Sequence, residues 1–421
     1  MKFFFYSVKG FSLSLAQRIQ AEGNEVKFYQ EEVNRKSRGR VGEGLVPLVE
    51  SVRVDDDSVV VFDFTGAGKK ADELRRRGFA VCCGGTFNDA LEHDRLFATR
   101  LMAASGIKVP PTAGFTNIKE GIEFAQHHGK PLVFKPHGKD IPAALTVVAD
   151  SNEELVKDME RVARAVGEDL DFELQEKVEG LEVSIEGWFN GQDWVFHSIN
   201  STLEEKRFLT GGLGPNTGCM GNVVFFYRHA RPKLAKDTLL KLTNYLRRVD
   251  YRGPLDVNTK GGFALEFTPR LGYDAIQTMV ELLDMEIGRM FSDVARGQAK
   301  QFKVNFGFAT GVTMTVPPHP GDNVEELAEE QGTPIRMPDN LMKHFHLGDV
   351  MLDGDGDLVT AGNDGIVGIM TAVGPTVTES RKVVYERVRK VLVPDVQYRL
   401  DIGERAIREV PELLRGVSDG D

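Results

Sequence analysis

The chain has 421 residues, a length that at about 100–200 residues per domain predicts two to four domains. Asp and Glu number 63 against 52 Lys and Arg, so the formal net charge is −11, which excludes a general nucleic-acid-binding protein with its usual basic excess. Hydrophobic residues make up 41% of the chain, and no apolar stretch is long enough to span a bilayer. We therefore expect a cytoplasmic globular protein with no nucleic-acid or membrane partner.

The three cysteines are too few and too irregularly spaced for a disulfide framework or a zinc site. They favour a reducing compartment. Cys82 and Cys83 end an apolar run, so packing in the core is the favoured interpretation, with a reactive thiol as the alternative.

The first hundred residues alternate short apolar runs with helical patterns. FFFYSV, EVKFYQ, SVVVFDF and AVCCGG are predicted strands, and LSLAQRIQAEG and the segment after GAGKK are predicted helices. Strands that alternate with helices are typical of a parallel α/β sheet. TGAGKK lacks the spacing of a nucleotide-binding P-loop, so a solvent-exposed loop is the better interpretation.

Further elements follow from periodicity and capping signals. Residues 86–105 are predicted as one helix, and SNEELVKDMERVARAVG as another, with Ser151 as N-cap and Glu154 completing a capping box. PLVFKPHG, FELQEKV, EVSIEGWFNG and DWVFHSIN are predicted strands, and KLAKDTLLKLTNYLRRV is predicted as one long helix. The last part, from about Phe302, shows short strands and a helix. DGDGD at residues 353–357 is better interpreted as a hairpin turn than as a calcium loop.

A glycine-rich stretch, GGLGPNTGCMG at residues 211–221, is the sharpest local signal. It predicts an irregular loop whose exposed backbone N–H groups are suited to an anion. Lys206 and Arg207 precede it and add positive charge for a phosphate or carboxylate. A structural Ω-loop without a ligand is the alternative, and the local sequence does not separate the two.

The segment PLDVNTKGGFALEFTPR predicts a β-hairpin with its turn at residues 260–262. Pairing about this turn places Asp256 and Glu266 near each other on one face. Neighbouring carboxylates repel, so such a pair usually holds a metal or shares a proton, and oxygen ligands suit Mg²⁺. Thr268 and Arg270 continue the second strand. Two ordinary surface acids are the alternative.

Two further signals come from charged residues in strand patterns. Lys135 lies inside LVFKPHG, where a buried lysine needs an anionic partner. Glu176 and Glu182 lie on either side of a bend at residues 179–180, and by themselves they are best interpreted as exposed strand acids. None of the nine histidines has other potential metal ligands near it in the sequence, so we interpret them as structural or surface residues.

Taken together, these motifs resemble the ATP-grasp superfamily and, within it, the phosphoribosylamine–glycine ligases. GPNTGCMG at residues 214–221 is similar to the family's GPNTGGMG, and Lys206 and Arg207 lie the same distance upstream as a Lys-Arg pair in the family. LQEKVEGLEVS resembles the adenine-binding hinge, and ALEFTPRLG resembles the metal-binding strand. GDLVTAGNDGIVGIM and DIGERAI resemble the family's last domain, so the resemblance covers nearly the whole chain.

The resemblance implies an α/β fold in three parts. These are an N-terminal parallel-sheet (pre-ATP-grasp) domain at residues 1–105, an ATP-grasp core at 106–300 with a mobile lid at about 110–186, and a small C-terminal α+β domain at 301–421. It also implies an ATP-dependent C–N ligase of purine biosynthesis. A carboxylate of the glycine type is expected to be phosphorylated by ATP to an acyl phosphate, which a phosphorylated amine then attacks. Its partners would be small molecules, and the protein a monomer or small homo-oligomer.

The resemblance further assigns roles to individual residues. The expected ATP-binding residues are Lys135, Glu176, Lys177, Val178, Glu182 and Lys206. The expected ligands of Mg²⁺, or of Mn²⁺, are Asp256, Glu266 and Thr268. The expected catalytic residues are Arg207, Asn216 and Arg270. The expected substrate-binding residues are Gly214, Pro215, Asn216, Thr217 and Gly218.

The sequence departs from the family pattern near the ATP phosphates and around the amine. The family's glycine-rich loop after the strand lysine is replaced by HGKDIPAAL, which leaves Lys139 as a candidate for the missing lysine's role. Thr268 stands where the family has Asn. SVKGFSLSLA and DFTGAGK replace the two N-terminal loops that shape the amine pocket. Three hypotheses follow: a phosphoribosylamine–glycine ligase with a divergent amine pocket, an ATP-grasp ligase for another amine such as a modified nucleotide or small metabolite, and a non-catalytic nucleotide-binding homologue.

Overall fold

The computed structural model describes residues 1–136, 145–229 and 231–418, with the backbone alone described for 416–418. The loop that replaces the family's glycine-rich segment, including Lys139, lies outside the described residues. No helix within the described part of the chain combines the length and the apolar character needed to cross a membrane.

Twenty strands and thirteen α-helices are assigned within the described residues. The strands are β1 (Lys2–Ser7), β2 (Glu25–Gln30), β3 (Val59–Phe62), β4 (Ala80–Cys82), β5 (Thr112–Asn117), β6 (Leu132–Pro136), β7 (Val147–Val148), β8 (Asp169–Glu176), β9 (Glu182–Asn190), β10 (Asn200–Glu204), β11 (Arg207–Leu209), β12 (Leu213–Asn216), β13 (Gly221–Phe226), β14 (Arg252–Lys260), β15 (Phe263–Thr268), β16 (Phe308–Thr315), β17 (Phe345–Leu347), β18 (Val350–Leu352), β19 (Leu358–Thr360) and β20 (Ile366–Gly374). The α-helices are α1 (Leu13–Ala21), α2 (Gly68–Arg76), α3 (Thr86–His93), α4 (Arg95–Ala104), α5 (Ile118–His127), α6 (Asn152–Val166), α7 (Lys233–Asp237), α8 (Thr243–Arg248), α9 (Ala275–Met279), α10 (Ile287–Ala295), α11 (Val324–Glu329), α12 (Val377–Val388) and α13 (Glu404–Ser418). Short 3-10 turns occupy Leu239–Leu242, Val280–Leu282 and Asp339–His344.

The N-terminal part is a parallel four-stranded sheet in the order β2-β1-β3-β4. Nearly every residue of β1 and all of β3 are buried, which is why both strands are continuous apolar runs instead of alternating ones. After α1, Gly23 has a φ of +85°, which lets the chain turn sharply into β2. The predicted parallel α/β sheet is therefore confirmed.

A second, antiparallel sheet has the order β5-β8-β6-β7 and packs against α5 and α6. Its side chains form a core of their own, in which the rings of Phe134 and Phe172 lie 4.9 Å apart. The chain enters and leaves this unit side by side, since the Glu176 N–H donates to the Pro111 carbonyl at 2.9 Å. The unit coincides with the segment predicted as a lid at residues 110–186, and its movement stays a prediction.

The central sheet has eight strands in the order β15-β14-β9-β10-β13-β16-β20-β17. Strands β9 to β15 precede residue 300, whereas β16, β17 and β20 follow it. The sheet is continuous between the two groups because β13 pairs with β16 from Gly221–Val312 to Val224–Ala309. The division of the chain at residues 300 and 301 stays a prediction from sequence, and the sheet runs across it.

Two predicted helices are broken in the structure. The helix predicted over residues 86–105 forms α3 and α4, because Asp94 leaves the helical conformation and its carboxylate caps the N–H of Phe97 at 2.9 Å. The long helix predicted after residue 232 is interrupted at Thr238, whose hydroxyl donates to the Leu234 carbonyl at 2.6 Å. Such a local side-chain bond competes with the helix ladder, and α7, a 3-10 turn and α8 result.

One predicted strand is also wrong. In DWVFHSIN the chain turns at His197, which has a φ of +57°, and only the final Asn200 belongs to β10. By contrast, the DGDGD segment does form the turn between β18 and β19, which pair in antiparallel fashion. Ser151 caps α6 as predicted, accepting from the Glu154 N–H at 3.2 Å.

Candidate active site

Polar side chains gather on one face of the central sheet where β9, β14 and β15 pair. Gly261 and Gly262 form the two-residue turn between β14 and β15, both with positive φ, as the hairpin prediction requires. Asp256 is opposite Thr268, and Asn258 is opposite Glu266. Because side chains alternate along a strand, all four lie on the same face of the sheet. The expected neighbourhood of Asp256 and Glu266 is therefore confirmed, and their role stays a prediction.

Glu266 is surrounded by three positive charges. Its carboxylate accepts from Arg95 Nη1 at 3.0 Å and lies 3.8 Å from Lys206 Nζ. Burial alone would raise the pKa of Glu266, but Lys206, Arg95 and Lys135 lower it to about 2. The carboxylate is thus ionised at neutral pH. Sequence reasoning missed Arg95, which is the first residue of α4; its place after the cap Asp94 was the only available signal.

Lys135 reaches this group from β6. It is 7% exposed, and its Nζ donates to Gln175 Oε1 at 2.8 Å on the neighbouring strand. The direct partner is therefore a neutral amide, whereas an anionic partner was expected. Burial lowers the pKa of Lys135, and the carboxylates of Glu266 and Glu173 act in the opposite direction. An ammonium group has three donors, and the described residues take up one of them.

Lys206 and Asp256 differ sharply in how their charges are balanced. Lys206 lies 3.5 Å from Glu204 as well as near Glu266; although burial would lower its pKa, these carboxylates raise it. Burial raises the pKa of Asp256 well above its usual range, and the negative charges of Glu204 and Glu186 add to this. The surroundings of Asp256 thus disfavour its ionised form.

Oxygen atoms suited to a hard divalent cation lie on this face of the sheet. Asp256 Oδ1 and Asn258 Oδ1 are buried on the same face as Glu266, and neither has a hydrogen-bond partner among the described residues. Unpartnered oxygens of this kind are the ligands that Mg²⁺ takes. Within the described ranges, however, no three Asp, Glu, His or Cys side chains are arranged as a complete metal centre. The residues fit a cation that completes its shell with water and phosphate oxygens, as Mg²⁺ usually does.

The glycine-rich stretch is more regular than expected. Residues Arg207–Leu209 and Leu213–Asn216 form the exposed hairpin β11–β12, so the prediction of an irregular loop is wrong for its first half. Gly211 and Gly212, both with positive φ, make the turn. Arg207 Nη1 donates to the Gly214 carbonyl at 2.8 Å, which holds this side chain on its own hairpin.

The second half of the stretch is attached to the strand that precedes it. The N–H and the hydroxyl of Thr217 donate to the Lys206 carbonyl at 2.8 and 2.9 Å. Pro215, Asn216 and Gly218 are exposed. The substrate-binding role assigned to residues 214–218, and the catalytic roles of Arg207 and Asn216, stay predictions.

A C-terminal clamp, formed by Arg399 and Arg405, holds this region in place. Arg399 is 2% exposed and donates to the Arg207 carbonyl at 2.8 Å. Arg405 donates to the carbonyls of Glu182 and Glu204 at 3.0 and 2.8 Å. Residues at the far end of the chain therefore fix the strand ends that carry Glu182, Glu204 and Lys206. The sequence indicated only a likeness in DIGERAI, because contacts nearly 200 residues apart have no local signature.

The expected adenine-side residues lie where the chain passes between two sheets. Glu176 ends β8 and pairs with Lys130 at 2.8 Å, and Lys177 pairs with Asp150 at 3.0 Å. Glu182 begins β9 and lies 3.8 Å from Lys260. The Lys130 ammonium lowers the pKa of Glu176. Val178 lies in this connection, and the ATP-binding role of these residues stays a prediction.

A cavity of about 460 Å³ lies beside this site, where loops of the N-terminal sheet meet the Gly218–Cys219 backbone and the C-terminal strands. Its volume is within the range of small-molecule sites. Arg270 is part of the wall; it pairs with Glu92 at 3.1 Å and lies over the ring of Phe64 at 4.2 Å. Its guanidinium is thus already engaged, and its assigned catalytic role stays a prediction.

We expect Lys135→Ala to raise the apparent KM for ATP by about 10-fold or more, because a buried charge-assisted hydrogen bond to a phosphate would be lost. Initial rates of ADP release at varied ATP measure this. Lys119→Ala is the matched control, because Lys119 is an exposed lysine of the same sheet unit and pairs with Glu168 on the surface. An unchanged KM in Lys135→Ala would mean that another residue holds the phosphates.

Part of the chain matches the model of a known family, and most of its length is similar to known proteins. Residues 93–248 match the family model described as "Phosphoribosylglycinamide synthetase, ATP-grasp (A) domain". The phosphoribosylamine–glycine ligase of Streptococcus pneumoniae is 25% identical over 373 residues, covering 83% of this chain and 81% of the relative. The phosphoribosylamine–glycine ligase of Rhizobium meliloti is 27% identical over 345 residues, covering 75% of this chain and 76% of the relative.

Solved structures show the same fold. A phosphoribosylamine–glycine ligase from Thermotoga maritima superposes with a TM-score of 0.73 at 22% identity, covering 96% of this chain and 100% of that one. A biotin carboxylase from Campylobacter jejuni, solved as a complex with β,γ-ATP, superposes with a TM-score of 0.64 at 11% identity. The match covers 98% of this chain and 96% of that one. Residues 93–248 are therefore similar to the ATP-grasp (A) domain of phosphoribosylglycinamide synthetase, and most of the chain's length is similar to phosphoribosylamine–glycine ligases.

Proposed function

We propose that the protein is an ATP-dependent carboxylate–amine ligase that forms an amide through an acyl phosphate. The observation that carries the proposal is the cluster in which Arg95, Lys135 and Lys206 surround the ionised carboxylate of Glu266. Phosphoryl transfer depends chiefly on positioning and charge neutralisation, which such a cluster supplies. The names of the relatives support glycine and phosphoribosylamine as the two substrates, a reaction of purine biosynthesis.

Each side chain of the cluster has a defined task in this reaction. Lys135 would bind oxygen atoms of the ATP phosphates. Arg95 and Lys206 would move from Glu266 to the phosphates, which frees the Glu266 carboxylate for a cation. Glu266, Asp256 and Asn258 would hold Mg²⁺, or Mn²⁺, which neutralises charge on the phosphates when bound.

The reaction has two steps, and each forms one bond and breaks another without a further reactant. The substrate carboxylate attacks the γ-phosphorus of ATP, the bond to the bridging oxygen breaks, and ADP leaves. The amine nitrogen then attacks the acyl carbon, a C–N bond forms, the bond to the phosphate oxygen breaks, and inorganic phosphate leaves with the amine proton passing to it or to water. The acyl phosphate is hydrolysed if water reaches it, so the unit at residues 110–186 is proposed to close over it as a lid.

A second candidate is a ligase of the same chemistry that takes another amine. It is favoured by the wall of the cavity, where, apart from the Arg270–Glu92 pair, Glu32 and Asp322 outnumber Lys9 among the described lining residues, and Lys9 itself lies 4.0 Å from Glu32. Burial and the nearby Asp349 raise the pKa of Asp364 to about 8, so this lining acid is mostly protonated at pH 7. A highly phosphorylated amine would therefore have few positive charges to pair with in this cavity.

We expect ADP release that depends on ATP, glycine and an amine together, with phosphoribosylamine formed in situ from ribose 5-phosphate and ammonia. A coupled assay for ADP measures it, and rescue of a purine auxotroph that lacks this ligase tests the same reaction in cells. Turnover with a different amine and no rescue would support the second candidate. An ATP-binding protein with no turnover on any amine would be a non-catalytic homologue, and the proposal would be wrong. A cytoplasmic location and a monomeric or small homo-oligomeric state are part of the proposal.

A further inference from the structure

The β11–β12 hairpin is exposed along most of its length. Its two strands pair with each other and with no other strand of the described chain, and residues 207 and 209–216 are exposed. The hairpin begins directly after Lys206, which lies 3.8 Å from Glu266, and the chain returns from it through Gly218 in the wall of the cavity. It therefore connects the charged cluster around Glu266 with the cavity.

The hairpin is held by one segment near the far end of the chain. Three hydrogen bonds reach it from elsewhere in the described chain, and all three involve residues 399–401: Arg399 Nη1 to the Arg207 carbonyl at 2.8 Å, the Leu400 N–H to Thr210 Oγ1 at 3.0 Å, and the Gly211 N–H to Asp401 Oδ2 at 2.9 Å. One bond reaches the first strand and two reach the turn. The segment therefore fixes β11 at both of its ends.

Arg399 and Asp401 are also fixed to each other. Arg399 Nε and Nη2 donate to Asp401 Oδ1 and Oδ2, both at 2.8 Å, which makes the pair bidentate. Arg399 is 2% exposed, and its Nη2 lies 3.3 Å from Glu205 Oε2. Burial would raise the pKa of Asp401, but the Arg399 guanidinium and the Gly211 N–H lower it. Both members are therefore ionised at neutral pH, and the planar fork gives the pair one orientation.

The acyl phosphate of the proposed reaction can be lost to water. If water attacks its acyl carbon in place of the amine, a C–O bond forms, the bond to the phosphate oxygen breaks, and the carboxylate and inorganic phosphate are released. ATP is then consumed without formation of an amide. An element that keeps water from this intermediate raises the fraction of acyl phosphate that ends as amide.

Building on the proposed ligase function, we propose that Arg399 and Asp401 are positioning residues, which hold the β11–β12 hairpin beside the acyl phosphate and so couple ATP consumption to amide formation. Their side chains bond the backbone of the hairpin and each other, so they act through the hairpin and not through contact with a substrate. The charged cluster around Glu266 then determines whether ATP reacts, and the segment at residues 399–401 determines what becomes of the acyl phosphate.

The first experiment measures ADP and amide in the same sample. Asp401→Asn removes the charged fork and leaves one acceptor oxygen for the Gly211 N–H. The assay contains ATP, isotope-labelled glycine and the amine that the wild-type protein turns over, phosphoribosylamine in the first instance, with ammonia alone as the blank. We expect the ratio of ADP to amide to rise from about one in the wild-type protein to about two or more in the variant. The KM for ATP should stay within about 2-fold, because the residues proposed to bind ATP are unchanged.

Asp250→Asn is the matched control. Asp250 Oδ1 also accepts from an arginine two residues away, Arg252 Nε, at 3.0 Å, and it lies outside the candidate site. Its ratio of ADP to amide should equal that of the wild-type protein. If Arg399 and Asp401 served stability alone, Asp401→Asn would lower the melting temperature and the fraction of active protein. The ratio would then also equal the wild-type value, because it is counted per ADP formed.

Thr210→Val tests the same inference and leaves the charged pair intact. The Thr210 hydroxyl is exposed and accepts the Leu400 N–H, so its loss loosens the turn while water can reach the freed N–H. We expect a smaller rise of the same ratio with an unchanged melting temperature, and this variant decides if Asp401→Asn does not fold. A wild-type ratio in both variants would overturn the inference and leave the proposed function standing. Wild-type protein that forms no amide with any amine would overturn both.

Discussion

Glu266→Gln is expected to reduce ADP formation by about 1000-fold or more. The amide keeps the size of the side chain and removes the negative charge that would hold Mg²⁺ and balance Arg95 and Lys206. The effect should fall on kcat and not on folding, because the Glu266 side chain is 37% exposed and lies at the surface of the sheet. Steady-state rates and a thermal melt of the same sample measure the two properties.

Glu281→Gln is the matched control for this variant. Glu281 is another acid whose pKa is lowered to about 2; burial opposes the shift, which His346, Arg18 and His344 produce. It lies outside the candidate site, so its loss should reduce stability while activity persists. Near-normal ADP formation in Glu266→Gln would contradict the assignment of the metal ligand.

Asp63→Ala should lower the free energy of unfolding by about 3 kcal/mol or more. The carboxylate is 0% exposed and accepts from Val8 N–H, Ser12 N–H, Ser12 Oγ and Ser7 Oγ. Its removal leaves these donors buried without an acceptor. Urea denaturation gives the difference, provided that the m-value is unchanged.

Asp63→Asn separates charge from hydrogen bonding in the same place. Burial raises the pKa of Asp63 despite its four donors, so the fold disfavours the ionised form of this carboxyl. Asn keeps one acceptor oxygen and should lose roughly half as much stability as Ala. A loss below about 1 kcal/mol for Asp63→Ala would show that other contacts hold the loop between β1 and α1.

Local signals predicted the parallel sheet and the β14–β15 hairpin well. Continuous apolar strands and a Gly-Gly turn need no distant partner to be recognised. The breaks at Asp94 and Thr238 were missed because each depends on one side chain bonding its own backbone, which periodicity does not reveal. Nor could the sequence indicate that β16 would extend the central sheet beside β13.

In the candidate site, too, residues close in sequence could be predicted and contacts between distant residues could not. Asp256 and Glu266 could be paired because they share one hairpin. Arg95 and Arg405 could not be found, since their partners are 171 and about 200 residues away. Lys135 was recognised as a buried lysine, yet its neutral partner Gln175 depends on the register between β6 and β8.

The continuity of the central sheet across residue 300 has a consequence for how this protein can be divided. The last third of the chain covers the edge of β13 with β16, so a product that stopped at residue 300 would present a row of unpaired N–H and C=O groups. Such an edge invites pairing with other chains. We therefore expect a chain that ends at residue 300 to self-associate more readily than the chain that carries β16.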